Sequence, residues 1–268
     1  MRTLHRIAWL TAGVAGLLIA SIGAPALAGE SNLAQGQVSL SLGVFEPRGD
    51  SDLWDLNETF TTEDTTDYDD ALFGAAYGMP LGPNADLQFE ISYYQAQADV
   101  HYRNFFNVNG DAIRQEHRLT ELPMEISLRF LPIARETPGG RLRPVIPYLG
   151  GGGGALFWEY REEGRFVDDL QFPTYQYYDE RETRRVTGTL HAVAGVEIQF
   201  VREFSIFIEG RYRWAKDDLS SDFDSNLDEF DLSGASVSVG ATWRFGQHDT
   251  HPHEHPRAHD DHDDDDDD

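Results

Sequence analysis

The chain contains no cysteine. That excludes a disulfide framework, thiolate catalysis and thiolate metal ligation. It is also short of positive charge. Lys and Arg number 21 against 47 Asp and Glu, a formal net charge of -26. Such a balance excludes non-specific nucleic-acid binding and favours cations as partners. Long apolar runs are missing beyond the N-terminus, so no later segment reads as a membrane-spanning helix. The one apolar run, 7–22, follows Arg2, His5 and Arg6 and precedes Ala26-Leu27-Ala28. A basic start, a short apolar stretch and small residues at a cleavage position describe a secretory signal. The expected division is a signal peptide over 1–28, a folded unit over 29–245 and a tail over 246–268.

What is present is period two. Successive side chains of a strand face opposite sides. Val38, Leu40, Leu42 and Val44 alternate with Ser39 and Ser41. Phe73, Ala75, Tyr77 and Met79 form a second apolar face, and Leu87, Phe89, Ile91 and Tyr93 a third. Met124, Ile126, Leu128 and Phe130 oppose Glu125, Ser127 and Arg129. A glycine-rich strand is expected over 147–158, and a long one over 186–200. The seventh sets Phe204, Ile206, Ile208, Tyr212 and Trp214 against Glu209, Arg211 and Arg213. The eighth sets Val237, Val239, Ala241, Trp243 and Phe245 against Ser236, Ser238, Thr242 and Arg244. The links alternate in length. Short turns at 81–85 and 201–203 and a moderate link at 132–143 alternate with long polar loops at roughly 47–70, 98–116, 161–185 and 215–232.

Even strand number, alternating link length and ten-residue apolar faces predict an all-β fold: an eight-stranded antiparallel up-and-down transmembrane β-barrel with a disordered C-terminal tail. Both termini then fall on the short-turn, periplasmic side. Tyr148, Trp158, Phe200, Phe204, Trp214, Trp243 and Phe245 are expected to form interfacial girdles. A soluble sandwich or lipocalin-like binding barrel also alternates and is the competing reading. Length of the apolar faces and charge on the opposite face weigh against it.

Two segments carry a family resemblance. Pro147-Tyr148-Leu149-Gly150 and the glycines that follow are similar to the start of the fifth strand in small bacterial outer-membrane barrels of the OmpA, OmpX, OmpW and opacity-protein type. Gly240-Ala241-Thr242-Trp243-Arg244-Phe245 resembles their C-terminal assembly signal. The resemblance covers about residues 36–245. It implies an outer-membrane location, contact with lipid and lipopolysaccharide, and Trp243 and Phe245 as marks for the barrel assembly machinery. The sequence departs from the pattern because 23 residues, 246–268, follow Phe245.

An eight-stranded barrel is only wide enough for side chains to fill. Glu90, Glu125, Arg129, Glu197, Glu209, Arg211 and Arg213 are therefore expected to pair across the lumen as a static plug. The sharper alternative is a gate, in which Glu197, Glu209, Arg211 and Arg213 exchange partners and open a narrow conduit. No catalytic residues are expected: there is no Gly-x-Ser-x-Gly turn, and no serine lies two residues from His191. No cofactor is required. The acidic loops have the oxygen chemistry of Ca²⁺ or Mg²⁺ sites but not the spacing of an EF-hand; a solvated, repulsive surface is favoured. The tail sets His248, His251, His253, His255, His259 and His262 among aspartates, a composition suited to Zn²⁺, Ni²⁺ or Cu²⁺. The functional expectation is a structural or surface-interaction barrel, or a narrow porin-like conduit, whose tail can bind divalent metal. The alternative is a periplasmic metal-handling protein anchored by a barrel.

Overall fold

The computed structural model describes residues 36–107, 109–168, 175–220, 223 and 229–246. The expected signal peptide, loop residues such as Asp169, Asp222, Asp224 and Asp228, and the six tail histidines lie outside the described residues. Eight antiparallel strands close a barrel: β1 (Gly36–Pro47), β2 (Asp70–Gly82), β3 (Ala85–Phe106), β4 (Ala112–Phe130), β5 (Val145–Asp168), β6 (Tyr175–Gln199), β7 (Phe204–Trp214) and β8 (Gly234–Phe245). Neighbours in sequence are neighbours in the ring, and β1 closes it against β8, from Gly36 opposite Phe245 to Pro47 opposite Gly234. The free ends of β1 and β8 lie at the rim that carries the short turns.

The strands differ in length for a physical reason. Strands β1, β2, β7 and β8 have 11 to 13 residues, close to the ~9–11 that cross a bilayer when tilted. Strands β3 to β6 have 19 to 25. Pairing of β6 with β7 stops at Leu190 and Trp214, yet β5 and β6 stay paired up to Asp168 and Tyr175. The segments 98–116 and 161–185, expected as loops, are therefore largely continuations of two β-hairpins. Their polar outer face was the misleading signal. It marks a change of solvent, not the end of the strand.

The barrel thus has two storeys with opposite polarity. In the lower storey the outward side chains are apolar: Leu40, Leu42, Phe73, Phe89, Ile126, Leu128, Leu149, Leu190, Ile208, Val239 and Trp243 are all exposed. The inward ones are polar. Along β4 the outward face changes from Leu122, Met124, Ile126, Leu128 and Phe130 to Arg114, Glu116, Arg118 and Thr120. Above that level an apolar cluster enters the interior beside buried polar groups such as His117 and Glu121. Tyr94, Ala96, Ala98, Val100, Leu119, Leu156, Trp158 and Tyr160 form a core with Phe45, Trp54, Tyr68, Phe230 and Leu232. An apolar exterior over a charged interior is the reverse of a soluble barrel and suits hydrocarbon around the lower storey. No helix among the described residues is long and apolar enough to cross a membrane.

The first long loop is structured. Helix α1 (Asp52–Phe60) begins after Ser51, with Asp52 and Asp55 in its first turn complementing the positive end of the helix dipole, and buries Leu53, Trp54 and Asn57. A 3-10 turn over Thr65–Tyr68 is closed by a reciprocal cap between Asp64 and Asp67 and drives Tyr68 into the core. Trp54 stacks on Phe230 and meets Tyr68 edge-on. The loop's acidic residues divide accordingly. Glu63 in the first loop, Glu162 in the third and Asp231 in the fourth are buried, which corrects their expected place on a repulsive surface. The expected aromatic girdles are also corrected in part. Phe200, Trp214 and Trp243 are exposed, whereas Tyr148 and Trp158 are buried inside.

Candidate functional site

Glycines create the room for the lumen site. The inward positions of β5 between Tyr148 and Leu156 are Gly150, Gly152 and Gly154. A Cβ on Gly152 would collide with the carbonyl of Ile126, so β4 and β5 approach closely only because glycine stands there. Long charged side chains from the other walls fill the vacated space.

They form tiers. Nearest the short-turn rim, Arg135 bridges Asp86 (2.5 Å) and Glu197 (3.2 Å), and Arg244 holds Glu197 from the other side at 2.5 Å. Above this, Arg129 binds Glu209 at 2.5 Å and lies over the ring of Tyr148, whose hydroxyl donates to Glu209 at 2.8 Å. Arg211 comes next and contacts Glu90 (2.6 Å), Glu125 (2.7 Å) and Glu209 (3.0 Å). Arg213 pairs with Glu121 and lies over Phe45, at the base of the apolar core. Among the described residues, the carboxylates of Asp86, Glu90, Glu121, Glu125, Glu197 and Glu209 meet the guanidiniums of Arg129, Arg135, Arg211, Arg213 and Arg244. Charge is nearly balanced, as burial requires.

All seven expected lumen residues point inward, but they do not form one group. Glu197 sits apart from Arg211 and Arg213, with Arg135 and Arg244. Asp86, Glu121, Arg135 and Arg244 were missed as partners. Arg135 lies in the 132–143 turn, where alternation gives no information, and it reaches back into the barrel mouth. Glu121 lies where the outward face has already turned polar.

Sequence distance also hid a serine. Ser127 Oγ lies 2.7 Å from His191 Nε2, and His191 Nδ1 lies 3.3 Å from Glu125 Oε1. This has the order of a nucleophile–base–acid array. All three side chains are buried, and Glu125 is already engaged by Arg211 and by the Thr189 hydroxyl at 3.0 Å.

A second polar cluster lies within the upper core. Tyr68 donates to Glu63, and Glu63 Oε2 lies 2.9 Å from His117 Nδ1. His117 Nε2 is 3.2 Å from Gln115 Oε1. Acceptors at both ring nitrogens suit an imidazolium. Burial opposes that charge, but the hydrogen bond His117 donates to Glu63 and the fields of Glu162 and Glu63 outweigh it, and the His117 pKa is raised. Burial also pushes the hydroxyls of Tyr68 and Tyr160 well above the usual tyrosine value. Among the described residues, no group of three or more His, Asp or Glu side chains is arranged to hold a metal ion.

No protein-family model and no curated protein matches the chain. Among solved structures it is similar to the outer membrane protein OprG from Pseudomonas aeruginosa, at 11% identity and a TM-score of 0.46, covering 79% of this chain and 96% of that one. It is also similar to a major outer membrane protein from Thermus thermophilus, at 9% identity and a TM-score of 0.42, covering 78% and 99%. Neisserial surface protein A matches at 10% identity and a TM-score of 0.41, covering 81% and 100%. The closed ring of eight strands, with its apolar belt and charged lumen, has the architecture of the small bacterial outer-membrane barrels that the sequence resembles.

Proposed function

We propose that this chain is an integral outer-membrane protein whose lower storey is a closed anchor and whose upper storey is the interacting part. In this reading the short-turn rim and both ends of the barrel face the periplasm, and the long hairpins face outward. The observation that carries it is the filled lumen. The cavity bounded by Asp86, Arg129, Arg135, Tyr148, Glu197 and Thr242 measures about 10 Å³. That is the room needed by about one water molecule. All strands but β2 contribute to its wall, and the charged tiers cross the lumen at several heights. A surface-interaction barrel fits this better than a conduit.

The Ser127–His191–Glu125 array is read as part of the plug, because its acid is held by Arg211 and its serine is buried. Trp243 and Phe245 close the last strand, and their likeness to the family's assembly signal supports recognition by the barrel assembly machinery. The metal-binding reading of 248–262 rests on composition alone. Reconstitution in a planar bilayer tests the closed anchor. The expected record is a flat baseline at moderate voltage. Steady, charge-selective openings would replace the anchor with a conduit.

A further inference from the structure

A second cavity lies in the upper storey, between α1 and the extended hairpins. Its volume is about 230 Å³. Its walls are mostly apolar and aromatic: Leu53, Leu56 and Phe60 from α1, with Tyr102, Phe105 and Phe166 from the strands. The polar lining residues are Asn57, Thr61, Gln115, Glu162 and Arg181, the kind of groups that orient a ligand in an otherwise apolar site. The most telling is Glu162, which is 4% exposed. One of its oxygens, Oε1, accepts from the Tyr160 hydroxyl at 3.1 Å and from Asn57 Nδ2 at 3.4 Å. The other oxygen has no hydrogen-bond donor among the described residues, and no guanidinium or imidazolium is paired with this carboxylate.

A buried carboxylate lacking a cation is costly. The two nearby cations make their close contacts elsewhere. His117 is committed to Glu63 at 2.9 Å. Arg181, also on the cavity wall, is drawn aside: its guanidinium lies 4.3 Å over the Phe166 ring and donates to the Tyr177 hydroxyl at 3.3 Å. Glu162 thus lines the cavity without an ion-pair contact to either cation, beside aromatic faces. Carboxylates and ring faces both attract ammonium groups. The net charge of -26 further concentrates cations around the protein.

We infer that this cavity binds a small organic ammonium with an apolar or aromatic body, its amine on the free oxygen of Glu162. The inference rests on reading the upper storey as the interacting part and gives that part a ligand class. The rings of Tyr102, Phe105 and Phe166 would enclose the apolar body, and α1 would form the lid through Leu56 and Phe60.

The test is a titration of the full chain in detergent with phenethylamine, followed by Trp fluorescence and by calorimetry. Phenylacetate and benzyl alcohol serve as the anionic and neutral isosteres. Each sample is also run unheated and heated on a denaturing gel to register the intact barrel. The expected result is saturable amine binding that phenylacetate and benzyl alcohol do not reproduce. Glu162→Gln is expected to weaken it by about tenfold or more, the worth of one charge-assisted hydrogen bond. Leu56→Trp keeps the carboxylate but fills the cavity, and is expected to abolish binding; it decides the matter if Glu162→Gln does not fold. An intact, heat-modifiable barrel that binds no amine up to about 10 mM, or binds phenylacetate equally, overturns the inference and leaves the anchor reading standing. A chain that gives no heat-modifiable band overturns both.

Discussion

Arg211 holds three carboxylates at once, those of Glu90, Glu125 and Glu209. Removing it would leave Glu90 and the buried Glu125 without a guanidinium, with Glu209 kept by Arg129 alone. Arg211→Met keeps the length of the side chain and removes the charge. It is expected to destabilise the barrel by about 3–5 kcal/mol, the usual cost of breaking a buried ionic network from one side. The temperature at which the compact gel band is lost measures this. An unchanged temperature would mean that water fills the lumen and screens the charges. At the upper storey the informative residue is His117. Its pKa is raised in the folded chain, so its contribution is fully present below the unfolded value of about 6.5 and is lost as pH rises through the folded value. The segment carrying Glu63 and α1 is therefore expected to loosen on the alkaline side. Limited proteolysis between residues 48 and 69 across that pH range checks it, and His117→Gln should remove the dependence. The same residues show how far a sequence reading reaches. The seven expected lumen residues share the polar phase of their strands, so alternation exposed them. Arg135 escaped because a turn has no phase. Ser127 and His191, 64 positions apart, meet only through the register of the ring.

At the level of the element, β5 shows what holds the ring in shape. Gly150, Gly152 and Gly154 face inward against the backbone of β4. Gly188 on β6 would meet nothing within 4 Å if it carried a Cβ. A matched pair follows. Gly152→Ala is expected to prevent close pairing of β4 and β5 and to lower the yield of refolded barrel sharply, whereas Gly188→Ala should stay within about 0.5 kcal/mol of the parent. Equal behaviour would show that the close approach is not needed. The eight strands themselves were legible because the lower storey is half lipid-facing and half polar, which gives clean period two. Their true length was not. Above Tyr93 on β3 the outward face is polar and the inward face, Tyr94 to Val100, is apolar, while above Leu122 on β4 the outward face turns polar and the inward one mixes Leu119 and Ile113 with Glu121, His117 and Gln115. The pattern inverts there, so one continuous strand reads as a strand followed by a hydrophilic loop. Helix α1 was hidden for another reason: its nine residues bury only Leu53, Trp54 and Asn57, too short a stripe to stand out in an acidic loop.

For the whole molecule, the central claim is that one barrel spans two solvents. Its outer face is wetted by lipid below and by water above, with the charge pattern inverted across the boundary. This accounts for the mixture of long apolar faces and acidic surface in a chain with so high a net charge. In the lower storey charged tiers cross the lumen, and the upper storey carries an apolar core with a cavity. The absence of cysteine makes the claim directly testable, since single cysteines can be introduced without background. Spin labels at 114, 116, 118, 120, 122, 124, 126, 128 and 130 would map the outer face of β4 in a bilayer. The account predicts that 122 to 130 are reached by oxygen dissolved in lipid and shielded from a water-soluble relaxing agent, and that 114 to 120 show the opposite. Uniform access of the water-soluble agent along all of these positions would contradict it and return a water-soluble barrel.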